Sequence, residues 1–343
     1  MNDNYMDFGR SLQSFFQEFL KKEYGASSNT IRSYRDAFVL LLDFFNDVKQ
    51  ISADRLTLAH MNRPIISEFL DWLEKKGCSV RTRNQRCATL RSFFKYMMYI
   101  EPSHLQTWKE ICTIRLKKCE QRVVCYMTIE EIKCLLEQIE TDTLKGRRNL
   151  VMLSLLYNTG ARVQELIDLT PKSIRLSKPY MIEIFGKGSK QRLVPLDDAI
   201  VKLTEQYIKE NHLNEPFKLD SPLFPNSWGE KLTPPGINYI IDKYVTMAKN
   251  IYPNLFQKKI SAHIFRHSRA MHLLQAGVNL VYIRDILGHV SIQTTEIYAR
   301  SDSEQKRNAL ERAYESIGIT EPKVKSWENN PKLRELLKSF CDP

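Results

Sequence analysis

Tyr180-Met181-Ile182-Glu183-Ile184-Phe185-Gly186-Lys187-Gly188-Ser189-Lys190-Gln191-Arg192-Leu193-Val194-Pro195 is where the hydrophobic period of the chain changes from 3.6 to 2. Tyr180, Ile182 and Ile184 alternate as in a strand with one buried face. Gly186-Lys187-Gly188-Ser189 supplies a glycine turn, and Arg192, Leu193 and Val194 form the return strand before Pro195. The flanking segments repeat at helical spacing, so the stretch predicts a mainly α protein with a small antiparallel β-sheet.

Toward the N-terminus, Leu12, Phe15, Phe16, Phe19 and Leu20 repeat at helical spacing. Ile31, Tyr34, Phe38, Leu41, Leu42 and Phe45 follow the cap candidates Ser27 and Ser28. A third helix starts near Asn62-Arg63-Pro64 and buries Ile66, Phe69, Leu70 and Leu73. A fourth starts at Ser79 and turns Ala88, Leu90, Phe93, Phe94, Met97 and Met98 inward. Four such helices make a small bundle, placed at residues 1–104. Residues 105–127 lack a clear period and read as a linker, with an extended piece at Arg122 to Tyr126. Thr128-Ile129-Glu130-Glu131 is a capping-box pattern that opens a second domain at 128–318. Helices are expected at 129–140, 146–158, 197–212 and 236–249. A further one is capped by Ser261 and closed by Gly277, and a charged helix covers 302–316. Residues 319–343 form a tail with a Leu333-Leu336-Leu337-Phe340 stripe, suited to docking on its own domain or on a neighbouring subunit.

Length, at 343 residues, suits two domains, and 43% hydrophobic residues with 10% aromatic supports real cores rather than disorder. The net charge of +11 favours a polyanionic partner, either nucleic acid or an acidic membrane surface. The chain shows no apolar run long enough to span a membrane and no secretory signal core. Its seven cysteines, odd in number and without a C-x-x-C pair, read as reduced thiols of a cytoplasmic protein and not as a disulfide or zinc framework.

Charge is also patterned. Lys75, Lys76, Arg81, Arg83, Arg86, Arg91 and Lys95 follow one another with no acidic residue between them, interleaved with Thr82, Asn84, Gln85 and Thr89. A solvated face would look the same in isolation, but a single-signed polar face suits phosphate contacts and entry into a major groove. Arg81, Arg83, Arg86, Arg91, Lys95, Lys190 and Arg192 are the candidate DNA contacts. A paired surface strand explains the last two equally well.

Near the C-terminal end, Leu287-Gly288-His289 reads as a turn and leads through a short helix capped by Ser291 to Tyr298. Upstream, His263-Ile264-Phe265-Arg266-His267 sets an imidazole and a guanidinium side by side on one helix face. Attack of a phenol on a DNA phosphodiester would need several partners. A base or positive potential must activate the phenol, guanidinium forks must hold the phosphorane oxygens, and an acid must protonate the departing 5′ oxygen. One Tyr, two Arg, His and Lys meet that need without a metal. Any of these residues alone has an ordinary reading, Tyr298 as a core tyrosine and Lys187 as a turn lysine.

Their joint order carries a resemblance. Thr159-Gly160-Ala161-Arg162 with Glu165-Leu166, the Gly186 to Leu196 hairpin, His263-Ile264-Phe265-Arg266-His267, and Leu287-Gly288-His289 with Tyr298 resemble the four motifs of the tyrosine recombinase (phage integrase) family, Xer-like members above all. The resemblance covers roughly residues 128–300, and the bundle is loosely similar to the family's core-binding domain. It implies catalytic roles for Arg162, Lys187, His263, Arg266, His289 and Tyr298. Arg162 and Arg266 would clamp the phosphate, Lys187 would protonate the 5′ oxygen, and His263 would serve as base or relay. His289 would donate to a non-bridging oxygen; Glu165, one turn beyond Arg162, is placed either to orient it or as a surface acid. Tyr298 would form a 3′-phosphotyrosine link, with no cofactor, metal or ATP. Arg269 departs from the small or aromatic residue expected there. The implied partner is double-stranded DNA with paired sites, bound by a homotetramer; an accessory protein is unspecified. The implied function is the integrase or transposase of a mobile element, the alternatives being Xer-type dimer resolution, a type IB topoisomerase or a catalytically dead regulator.

Overall fold

The computed structural model describes residues 8–119, 124–186 and 190–301. The chain divides into two compact units, Met1–Arg122 and Val123–Pro343.

The regular elements described in the first unit are all helices, joined by loops. Helix α1 (Phe8–Ser14) runs on as a π-helix over Phe15–Glu23, which brings Phe15 and Leu20, five apart, into the same core. Helices α2 (Ser28–Lys49), α3 (Arg63–Lys75) and α4 (Val80–Ile100) start at Ser27, Asn62 and Ser79, whose side chains each accept a backbone N–H. Their apolar faces meet in an aromatic core. Phe93 lies 5.3 Å from both Phe15 and Phe38 with edge-to-face rings, an arrangement that adds about 1 kcal/mol per pair beyond area burial.

Two expectations are corrected here. Ala88 is exposed, because the inward stripe of α4 is set by Cys87, Leu90, Phe94 and Met97. The stretch read as a linker contains α5 (Leu105–Cys112), which packs on α4 and buries Trp108 against Phe94 at 5.2 Å. Leu105, Trp108, Ile111 and Cys112 do fall at helical spacing, but over only two turns, and Trp108 and Ile111 are its buried residues.

The second unit opens at α6 (Ile129–Glu137) with the expected capping box, Thr128 to Glu131. Helix α7 (Leu144–Thr159) has a polar first turn, but every residue from Val151 to Leu156 is buried, so its second half runs through the core of the unit. It contacts α9 (Asp198–Glu210) and α11 (Ala262–Gln275). A short α8 (Val163–Ile167) follows, then an antiparallel sheet in the order β1 (Ile174–Arg175), β2 (Met181–Phe185), β3 (Gln191–Pro195). The hairpin is as read; β1 is a third strand too short to show alternation. Helix α10 (Pro234–Ile251) precedes α11, and α12 (Leu280–Leu287) and α13 (Gln293–Ser301) complete the described chain. Ser261 precedes α11 but makes no side-chain cap, and the Ala262 amide donates instead to Asn238. Lys187, the helix expected at 302–316 and the tail at 319–343 lie outside the described residues. Among those residues no helix is long and apolar enough to cross a membrane.

Candidate active site

Helix α7 ends where the site begins. Gly160 takes φ +58, and a Cβ there would stand 2.7 Å from Leu287 Cδ2, so both conformation and space demand glycine. The turn delivers Arg162 to the start of α8. Its amide donates to Glu165 Oε2 at 2.8 Å, and its Nη1 donates to Glu165 Oε1 at 2.6 Å. Glu165 therefore orients Arg162, as the spacing suggested.

The same carboxylate holds a second arginine. Arg192 Nη2 donates to Glu165 Oε2 at 2.5 Å, with both side chains under a tenth exposed. On β3, Arg192 shares the inward face with Val194, while Leu193 between them is 56% exposed. The strand thus buries its arginine and exposes its leucine, because Glu165 and the end of α12 supply what a guanidinium needs. Burial would raise the Glu165 carboxyl; the Arg192 hydrogen bond, the Arg162 amide and the Arg192 charge outweigh it and hold it below the usual range.

Helix α12 closes at Gly288 in the left-handed conformation, φ +65. Its last two carbonyls and that of the Gly288 cap each accept from a different arginine. Arg192 Nε reaches Ile286 O at 2.9 Å, Arg266 Nη2 reaches Leu287 O at 2.7 Å, and Arg162 Nη2 reaches Gly288 O at 3.3 Å. A helix C-terminus is the negative end of its dipole and leaves these carbonyls without intrahelical partners, so it suits guanidinium groups on both counts. Arg266 also donates through Nη1 to Gly160 O at 2.7 Å and is only 2% exposed. Its burial and the nearby Arg162 charge pull it down to about 10, which leaves it charged at neutral pH.

The imidazoles and the phenol lie beside these cations. His289 Nδ1 pairs with Thr295 Oγ1 at 2.9 Å, and Thr295 is fully buried. Either atom can donate in this pair; in the tautomer where the hydroxyl donates, the ring carries its proton on Nε2 and can donate to an anion. Tyr298, on α13, is 1% exposed and lies parallel to His289 at 6.3 Å. Its hydroxyl pairs with His267 Nδ1 at 2.9 Å, and the rings of His267 and His263 are 4.2 Å apart. Burial raises the Tyr298 phenol, opposed by the charges of Arg266 and Arg162. Burial, His263 and Arg266 bring His267 down to about 4. Burial with Arg266, Arg162 and Arg192 does the same to His289, also about 4. His263 is lowered too, by partial burial and then by Arg266 and Arg162.

Of the six expected catalytic residues, the structure gathers Arg162, His263, Arg266, His289 and Tyr298. For Lys187 it describes the hairpin flank. The Gly186 amide donates to Lys190 O at 2.8 Å, and a Cβ on Gly186 would stand 3.3 Å from Glu165 Oε1, so Gly186 itself lies beside the carboxylate that holds the arginines. Two site residues were given no role in the sequence reading. His267 had its signal in being four positions beyond His263, hence on the same helix face. Thr295 had none. In the first unit, Arg81 and Lys95 are exposed on α4, and Arg86 donates to Ser33 O at 2.8 Å. Arg83 turns inward to Arg115 O and Glu74.

Two guanidinium groups beside a phenol, that of Arg162 partly exposed and that of Arg266 buried, suit transfer of a phosphodiester onto tyrosine, and with this fold they define a tyrosine recombinase. Residues 126–305 match the phage integrase family and residues 14–99 match the phage integrase N-terminal SAM-like domain. The chain belongs to the phage integrase family. It is 33% identical over 296 residues to the tyrosine recombinase XerD of Oceanobacillus iheyensis, covering 84% of this chain and 92% of that one. Among solved structures, it resembles the XerH site-specific recombinase in its post-cleavage complex with palindromic difH substrate. That match has a TM-score of 0.68 and 26% identity, over 88% of this chain and 84% of the other. The Tn1549 transposon integrase bound to transposon right end DNA shares the fold, with a TM-score of 0.68 at 18% identity over 87% and 98%. The chain is thus an enzyme of site-specific DNA recombination, and DNA is its partner.

Proposed function

We propose that Tyr298 attacks a DNA phosphodiester seated between Arg162 and Arg266, forming a 3′-phosphotyrosine link and releasing a 5′ hydroxyl. The observation that carries this reading is the shared anchorage of both arginines on the end of α12, one turn of chain away from the tyrosine helix. Each guanidinium has five N–H donors, so these anchoring bonds leave others for the phosphate oxygens. His289 Nε2 donates to a non-bridging oxygen, His263 relays the proton toward solvent, and Lys187 protonates the 5′ oxygen. The phosphotyrosine conserves the energy of the broken bond, so rejoining needs neither ATP nor metal. Arg81, Arg86, Arg91 and Lys95 grip DNA backbone, with Lys190 on the hairpin.

The enzyme acts in the cytoplasm as a homotetramer on paired sites, and moves a mobile element. The 33% identity over 300 residues to the putative integrase/recombinase y4rC of Sinorhizobium fredii supports the integrase reading. Xer-type dimer resolution is the second reading, favoured by the likeness to XerD across most of both chains. A nicked suicide duplex tests the chemistry: a covalent 3′ adduct should form and vanish in Tyr298→Phe. An adduct that persists in Tyr298→Phe would remove the tyrosine from its role. Sequencing of adduct-bearing genomic DNA then separates the two readings, element ends in one case and a single chromosomal site in the other.

A further inference from the structure

His263 is the histidine that the motif offers as the base, yet it is not the one that meets the phenol. Tyr298 Oη lies 2.9 Å from His267 Nδ1, within the reach that proton transfer requires. His263 stands beyond it, its ring 4.2 Å from that of His267. Exposure is graded along the same line: Tyr298 is 1% exposed, His267 half-buried and His263 exposed. A phenol so enclosed cannot hand its proton to bulk water and must pass it to a protein group.

We infer that His267 takes the Tyr298 proton during strand cleavage and that His263 is the exit from it; this rests on the reading of Tyr298 as nucleophile. As the Oη–phosphorus bond forms, the phenolic O–H breaks and its proton passes to His267 Nδ1. The bond from phosphorus to the 5′ oxygen breaks with its electron pair leaving on that oxygen, which is protonated on its own side. Rejoining reverses both transfers, His267 returning the proton to the departing phenolate.

The surroundings make this base responsive to DNA. His267 is faced by His263 and Arg266 from α11, by Tyr298 from α13, and at longer range by His289. In the free protein burial and that positive company keep it neutral and weak. A phosphodiester docked against Arg266 brings the opposite charge and strengthens it, so the base gains power when there is something to cleave.

The probe is a pool of nicked duplexes of randomised sequence, from which wild-type adducts are captured and sequenced; single-turnover adduct formation is then timed on the captured sequence. In His267→Asn the carboxamide oxygen still accepts the phenol's hydrogen bond but cannot take its proton. Adduct formation should fall about 10²–10⁴-fold with DNA affinity unchanged. His267→Gly should regain activity with added imidazoles, faster with the more basic ones. His263→Asn should lose less than His267→Asn. Near-native cleavage by His267→Asn, or absence of rescue in a folded His267→Gly that binds DNA, would overturn the inference while leaving Tyr298 as nucleophile. If the wild type captures no adduct, the nucleophile itself is wrong and the inference goes with it.

Discussion

Arg266 Nη2 donates to the main-chain oxygen of Leu287 at 2.7 Å, and this bond ties the helix of His263 and His267 to the turn that carries His289. Arg192 and Arg162 secure the neighbouring carbonyls, so three separate segments are assembled on one helix end.

Removing Arg192 should therefore cost more than a strand arginine normally would. Arg192→Leu leaves the buried Glu165 carboxylate paired with Arg162 alone, and loss of the charge-assisted bond is worth about 1.5–3 kcal/mol. The urea midpoint should drop accordingly, and adduct formation should fall because Arg162 shares the same carboxylate. Unchanged stability would mean that the Arg192–Glu165 pair carries no structural weight.

Gly160 and Gly277 both have positive φ, but their surroundings differ. Gly160→Ala adds the approach to Leu287 Cδ2, whereas a Cβ at Gly277 meets nothing within 4 Å. Both variants should lose about 1–2 kcal/mol to the left-handed conformation. Only Gly160→Ala should also slow cleavage, through displacement of Leu287 from beneath Arg266. Parallel measurements of unfolding and adduct rate check the contrast.

Acid should weaken the fold through the two suppressed imidazoles. His267 and His289 are held at about 4 against an ordinary 6.5, so below 6.5 the unfolded chain binds protons that the folded one refuses. Their contribution is complete above pH 6.5 and disappears as pH falls toward 4. Melting temperature should decline across that window, and less so in His289→Asn. A decline of equal size in both proteins would exclude His289 as a source.

Thr295→Val keeps the shape but removes the hydroxyl that fixes His289. The loss of one buried hydrogen bond, about 1 kcal/mol, should slow adduct formation roughly five- to tenfold while DNA affinity holds. Equal adduct rates in variant and wild type would show that the Thr295 hydroxyl does not set the tautomer of the ring.

On α4, Lys95→Ala should weaken DNA binding evenly across sequences and reduce the salt slope by about one. Arg83→Gln should instead lower stability, since Arg83 reaches Arg115 O and Glu74. Binding isotherms at several salt concentrations, with melts alongside, distinguish the two.

Much of this was legible because it is local. Caps at Ser27, Asn62, Ser79 and Thr128 depend on contacts within three or four residues, and the hairpin's alternation is a property of its own strands. The catalytic residues were legible through their joint order, not their spacing in space. What stayed hidden depends on distant chain. Arg192 looked like a surface cation because its acceptors, Glu165 and Ile286 O, are 27 and 94 positions away. Helix α5 was hidden by brevity, and Thr295 by being one hydroxyl among many.

The acceptors at the end of α12 are main-chain oxygens, and every residue type offers the same one. The arginines therefore do not read the side chains of Ile286 or Leu287; they read only that a helix stops there. Substitution at position 286 would leave the acceptor oxygen in place, whereas a shift of the helix end by one residue would unhook all three guanidinium groups together. What selection must guard at this point is a length, and Gly288 is its marker.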